Sequence, residues 1–258
     1  MELQHKYGPH VHILSDPYLL SLLAQIGSPE TGTGEITGLV RSAYRRLGAE
    51  VLAREFPVVP DRVKTRMAAT EPRAFYEGPR LCRNTPLVIC AVMRAGIVPA
   101  QICYELATEV LPPGHVRLDF VNLSRVLDDE GKVAGVDVGG TKIGGPVDGA
   151  VLLIPDPMGA TGGTVQRLAA IYGELEGGGP KAIIAAHLMV TPEAIQRLRG
   201  GPPNLKIHAA RLDRGLSPRD VLATAPGTHP DKERGLTDIQ YIVPGAGGMG
   251  ELLTNAWV

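Results

Sequence analysis

Aromatic residues are scarce in this chain of 258 residues, at 4%, while hydrophobic residues as a whole reach 44%. A core large enough for an α/β fold must then come from Leu, Val, Ile and Ala. Cysteine is nearly missing: Cys82, Cys90 and Cys103 are odd in number and lack metal-ligand spacing. That excludes a disulfide framework and suits reduced thiols in a cytoplasmic protein. No run of about 18 or more apolar residues occurs, so no transmembrane helix and no membrane partner are expected. The opening MELQHKYG lacks the apolar centre of a signal peptide. Neither sign of charge prevails: 26 Lys and Arg face 27 Asp and Glu, for a net charge of −1. No global field then draws nucleic acid or an anionic surface. Glycine and proline are abundant instead, 32 and 22 residues, which implies many sharp turns. With no long linker, residues 1–258 are expected to form a single domain with embellishments.

The stretch 151–171, VLLIPDPMGATGGTVQRLAAI, organises the rest. Its first residues, 151–154, are an apolar run of strand length. A turn follows through Pro155, Asp156, Pro157, Met158, Gly159, Ala160, Thr161, Gly162, Gly163 and Thr164. A helix is then expected, with Val165, Leu168, Ala169 and Tyr172 on one face. A strand, a loop of glycines and hydroxyls and a helix N-terminus make an anion site. Glycines let backbone N–H groups approach a phosphate, Thr hydroxyls add donors, and the helix dipole favours negative charge. Asp156 adds something a pure phosphate loop does not need. A carboxylate there can accept from two vicinal sugar hydroxyls or hold a metal-bound water. No Gly-Lys-Ser/Thr follows the glycines, and the GxGxxG order is missing, so this is neither a Walker loop nor a dinucleotide fingerprint.

Two further stretches carry chemistry. Residues 87–92 read as a buried parallel strand, followed by the turn Met93-Arg94-Ala95-Gly96 and a helix over about 98–109. Arg94 is a lone charge between apolar runs, and its burial costs several kcal/mol unless an anion meets it. Either an internal carboxylate or a bound anion would serve. Near the end, GLTDIQYIVPGAGGMGELL combines a short extended run, 239–243, with a glycine turn. Such a segment can present backbone N–H and C=O groups to the polar edge of a planar base.

Elsewhere, residues 15–17 start a helix ending at Gly27, and 35–55 form a second helix with a solvated charged face. Residues 63–67 alternate only weakly. A strand is expected over 116–123, then Ser124 and Arg125 with an acidic loop at Asp128, Asp129 and Glu130, and a mobile hairpin or flap over 133–149, where Lys142 reads as a solvated loop lysine. Strands at 181–190 and 205–212 flank a helix capped by Thr191-Pro192-Glu193. His187 and His208 lie within these strands and read as satisfied core or edge histidines. The βα alternation over 86–212 implies a mainly parallel sheet with helices on both faces.

The string DPMGATGGT resembles the ribose-phosphate loop of the type I phosphoribosyltransferases, and most closely the D-P-M-x-A-T-G-G-S/T of the uracil phosphoribosyltransferases. Met93-Arg94-Ala95-Gly96 is similar to the family's I-L-R-A-G, and the C-terminal stretch to its G-L-N-x-x-G-Y-I-[IV]-P-G-L-G-D-A-G-D. The resemblance spans nearly the whole chain from about His10. It implies an α/β fold with an N-terminal helical segment (10–57), a core (86–212) and a base-binding hood (213–258), with a hairpin after the second helix.

It implies transfer of a phosphoribosyl group from 5-phospho-α-D-ribose 1-diphosphate (PRPP) to uracil, giving UMP and pyrophosphate. Asp156, Arg94 and Arg125 would be the catalytic residues. They would bind PRPP together with Pro157, Met158, Gly159, Ala160, Thr161, Gly162, Gly163 and Thr164. Tyr241, Ile242, Gly247, Gly248 and Met249 would hold the base. Magnesium would ride mainly on the pyrophosphate, with no protein metal ligand assigned, and a homodimer or higher homo-oligomer is implied. Departures bear on this. The family's first hood aspartate falls on Gly248, its alanine on Met249 and its second aspartate on Glu251, while Pro155 replaces an aliphatic residue. Loss of the aspartate weakens catalysis unless a neighbour such as Glu251 substitutes, and Met249 adds bulk where the base enters. An insertion at about 217–234 precedes the hood, and loops of that length are usually functional or disordered. The alternatives are a transferase of the same fold acting on another nucleobase, and a non-catalytic sensor of PRPP or a mononucleotide.

Overall fold

The computed structural model describes residues 2–127 and 133–256, with the backbone alone at 124–127 and 133–136. The chain opens with β1 (Val11–Ile13), α1 (Pro17–Ile26) and α2 (Thr33–Glu55). A separate antiparallel hairpin follows, β2 (Val58–Lys64) with β3 (Phe75–Leu81). The core runs through β4 (Leu87–Met93), α3 (Ile97–Thr108), β5 (Val116–Leu127), β6 (Val133–Lys142), β7 (Val151–Pro155), β8 (Met158–Gly159), α4 (Gly163–Gly173), β9 (Ala182–Val190), α5 (Pro192–Arg199) and β10 (Leu205–Leu212). Two short helices, α6 (Arg219–Leu222) and α7 (Met249–Thr254), complete it.

The main sheet has the order β1-β10-β9-β7-β4-β5-β6, with β8 against β9. Its pairs are parallel except β5 with β6. Central strands buried on both faces need no polar alternation, and β4 and β7 have none. Their period of two still divides the core. Leu87, Ile89, Ala91, Val151 and Leu153 face α1, α2, α3 and α7, while Val88, Cys90, Val92, Leu152 and Ile154 face α4 and α5. Truncating one of the leucines in such packing costs about 2–5 kcal/mol. The result is a mainly parallel sheet flanked by helices, as the sequence implies.

Local signals account for most boundaries. Asp16 caps α1 through bonds from the Tyr18 and Leu19 N–H groups, and Thr191 caps α5 through the Ala194 N–H. Along α2, Ile36, Val40, Ala43, Tyr44, Leu47 and Val51 form the buried stripe. Its charged face is more than solvated: Arg41 meets Glu105 at 2.7 Å and Arg45 meets Glu109 at 3.0 Å across to α3, while Arg46 reaches Asp16 at 2.9 Å.

Three sequence expectations are corrected. β5 does not stop at Leu123 but continues to Leu127, because β6 pairs with it, so Arg125 stands on a strand. Lys142 closes β6 opposite Phe120 instead of lying in a loop. Residues 239–243 form no strand; a single bridge joins Leu236 to Ile242 around a turn in which Gln240 has φ 62°. The acidic loop at Asp128, Asp129 and Glu130 lies outside the described residues. The insertion at 217–234 is ordered around a buried carboxylate. Glu233 accepts from Tyr7 Oη, from the Gly227 N–H and from Arg214 at 2.8 Å. No helix among the described residues is long and apolar enough to cross a membrane.

Candidate active site

A cleft of about 600 Å³ opens over the C-terminal ends of the central strands, the place where open α/β sheets bind ligands. Its lining joins the turn after β4, the loop after β7 and the hood: Arg94, Asp156, Gly159–Gly162, Thr164, Gln240–Ile242 and Gly247–Glu251 all contribute.

The loop is fixed from beneath. The Pro157 carbonyl accepts from the Leu188 and Met189 N–H groups, and Thr191 holds Gly159 through its N–H and Ala160 through its hydroxyl, the latter at 2.6 Å. These bonds tie the loop to the end of β9. Gly162 turns the chain into α4 at φ 75°, a left-handed conformation that side chains disfavour, and it packs against Ala194 and Leu198. Gly162 offers α4 no side-chain cap, although the Gly163 N–H donates to Thr161 Oγ1 at 3.3 Å; the helix N-terminus itself favours an anion. Asp156 stands at the end of β7; its Oδ1 accepts from the Met158 N–H at 3.2 Å.

Under Asp156 sits His187, fully buried. Its Nδ1–H donates to the Asp156 carbonyl at 2.6 Å, and its Nε2 has no partner among the described residues. The expectation of a satisfied histidine is therefore met at one ring nitrogen only. Burial lowers the imidazole pKa against the pull of Asp156, which keeps the ring neutral. Tyr44 of α2 reaches the neighbouring Ala186 carbonyl at 3.1 Å.

Arg94 faces this loop across the cleft. Its Nη2 meets Glu251 Oε1 at 3.2 Å, and its Nη1 donates to the Ala256 carbonyl at 2.7 Å. A carboxylate thus meets the lone arginine, and that carboxylate belongs to the hood. The backbone of Arg125 lies on β5, but its side chain is outside the described residues. Glu251 also covers Gly248, where any Cβ would run into its carboxylate. Met249 is 2% exposed, packed into the core while still lining the cleft.

The hood hangs on two acids, the buried Asp213 and the half-buried Glu193, whose part in it sequence reasoning passed over. Asp213, at the end of β10, accepts from Arg211 at 2.5 and 2.8 Å and from the Gly245 N–H at 2.9 Å. Glu193 accepts from the Gly235 N–H at 2.9 Å and the Leu236 N–H at 3.3 Å. Tyr241 is half exposed at the cleft mouth and Ile242 is buried.

A family model for uracil phosphoribosyltransferase matches residues 13–232. The uracil phosphoribosyltransferase of Caldanaerobacter subterraneus is 26% identical over 95% of this chain and 97% of its own. Among solved structures, the AQ2163 protein of Aquifex aeolicus superimposes with a TM-score of 0.69 at 20% identity, over 96% of this chain and 99% of its own. Adenine phosphoribosyltransferase of Trypanosoma brucei, solved with AMP, pyrophosphate and ribose-5-phosphate, gives 0.50 at 11% identity, over 85% and 90%.

Proposed function

Because the chain belongs to the uracil phosphoribosyltransferase family, we propose that its cleft transfers the phosphoribosyl group of PRPP to uracil. The observation that carries this reading is one cleft holding a helix N-terminus with its threonine loop, the Asp156 carboxylate and a cationic Arg94. The loop Ala160–Thr164 takes the 5-phosphate, and Asp156 faces the ribose hydroxyls. Arg94 and Arg125 balance the charge that grows on the departing pyrophosphate. The hood from Tyr241 to Met249 positions the base.

In the reaction the anomeric carbon–oxygen bond breaks and pyrophosphate leaves with the electron pair. A base nitrogen bonds to that carbon and yields its proton to solvent. The transition state resembles an oxocarbenium ion, so orientation and electrostatics supply most of the acceleration and no covalent nucleophile is required. A cleft of about 600 Å³ suits substrates of this size.

Magnesium fits the donors present. Asp156 lines the cleft, and carboxylate oxygens are the ion's preferred protein ligands. Bound, it would neutralise charge on the pyrophosphate. Glu251 fills the room over Gly248 and gives up Arg94 when pyrophosphate arrives.

The test is UMP formation from uracil, PRPP and magnesium by purified protein, with Asp156→Ala alongside. Turnover is expected, falling by about 10²-fold or more in the variant. PRPP binding by calorimetry without UMP formation would replace this reading with another acceptor base or a sensor.

A further inference from the structure

We propose that His12, Glu55 and His208 form a binding site for a divalent transition ion of the zinc class, apart from the cleft. The three belong to β1, the end of α2 and β10, and none of them lines the cleft. His12 and His208 are register partners on adjacent parallel strands, so their rings emerge on the same face, with centroids 4.7 Å apart. Glu55, the last residue of α2, extends its carboxylate between them. Its Oε1 is 2.8 Å from His208 Nε2 and 3.9 Å from His12 Nε2. One donor atom from each residue falls within 4.8 Å of the other two.

The donor set selects the ion. Two imidazole nitrogens and one carboxylate oxygen suit zinc, cobalt or nickel, whereas magnesium and calcium prefer oxygen alone. The surrounding groups leave the inward atoms to the ion. Glu2 Oε1 and Arg54 Nη1 each sit 2.9 Å from His12 Nδ1, the outer nitrogen; Glu2 can take its proton as carboxylates do behind metal-bound imidazoles, and Arg54 is itself paired to Glu2 at 3.1 Å. Lys206 holds Glu55 Oε2 at 2.5 Å, which leaves Oε1 facing the histidines. Around the cluster, Glu2 and Glu55 oppose Arg54 and Lys206, so the fixed charges balance and the donor atoms themselves select the cation. His208 has no bond among the described residues besides that to Glu55, since its Nδ1 lacks a partner, so ligation displaces one contact and no network.

An ion here would join the three-residue edge strand β1 to β10 and to the end of the longest helix. Its role is a clamp on the N-terminal segment, since none of its residues lines the cleft.

Zinc chloride titrated calorimetrically into the purified full chain, without PRPP, should bind at one ion per chain and raise Tm. Cobalt chloride should give the visible absorption of a coordinated ion. The variant His12→Gln, on an edge strand, should lose the cobalt spectrum and weaken zinc at least tenfold. Glu2→Gln, one step removed from the ion, should weaken it about tenfold. His10→Gln, exposed on the same segment, should bind as the parent does. Zinc binding below one equivalent, or a His12→Gln variant that binds zinc and raises Tm as the parent does, would overturn the proposal. In that event the cluster is an ion-pair anchor only.

Discussion

Two glycines, at opposite ends of the cleft, have no room for a side chain, and for different reasons. At Gly159 a Cβ would stand 2.9 Å from the His187 ring and 3.1 Å from Val190. Both neighbours are buried and hemmed in. At Gly248 a Cβ would meet the carboxylate of Glu251, the far end of a flexible side chain. The phosphate-loop end is shaped by packing and by main-chain bonds to β9. The hood end is shaped by charges: Asp213 and Glu193 from below, and Glu251 against Arg94 at the rim. Packing holds one geometry, whereas ion pairs can be exchanged for those of an arriving anion, so the hood end is the side built to rearrange.

The harshest test of that contrast is Asp213→Ala. The change leaves the Arg211 guanidinium and the Gly245 N–H without their buried acceptor. Breaking such a pair by removing one partner costs about 3–5 kcal/mol, measurable by urea denaturation. A loss below about 1 kcal/mol would mean that charge does not hold the hood, and the contrast would fail. Gly159→Ala should cost about 1–3 kcal/mol, the usual penalty for overfilling a packed site. A neutral result there would show that the loop end gives as readily as the hood.

Acid probes the same loop anchor. The folded pKa of His187 is depressed by burial, so the unfolded chain, titrating near about 6.5, takes up the proton first. Its contribution to stability is whole above that pH and is lost as the pH falls below it, at up to about 1.4 kcal/mol per pH unit. His187→Leu should flatten the stability profile below about pH 6.5 by that slope. An unchanged profile would show that the ring is already protonated in the folded chain.

The sequence was legible where the cause is local. The apolar runs of β4, β7 and β9, the Asp16 and Thr191 caps and the Gly162 turn are each set by residues within a few positions, and each was readable as such. The hairpin of β2 and β3 followed from resemblance where the alternation of 63–67 was too weak to show it. Unreadable were the groups whose partners lie far along the chain. Asp213 finds Gly245 at a separation of 32 residues, Glu193 finds Gly235 at 42 and Arg94 finds Glu251 at 157. His187 looked like a core residue because nothing in its strand announces that the ring lies under Asp156. The departure at Gly248 was visible, but what fills its place was not, since only the fold of α7 returns the Glu251 carboxylate over that glycine.

Gly248→Ala carries the smallest effect on stability and the most pointed meaning. The added methyl displaces a movable carboxylate, so the folded state should change by less than about 0.5 kcal/mol. The same displacement weakens the half-exposed pair of Glu251 with Arg94, whose worth is about 0.2–1 kcal/mol. If Glu251 competes with pyrophosphate for Arg94, its release lowers the KM for PRPP by up to about fivefold and leaves kcat nearly as it was. Steady-state kinetics at saturating uracil measures both. A raised KM would instead make Glu251 a ligand for the incoming magnesium–pyrophosphate, and the hood end would then be held by its substrate as firmly as the loop end is held by its core.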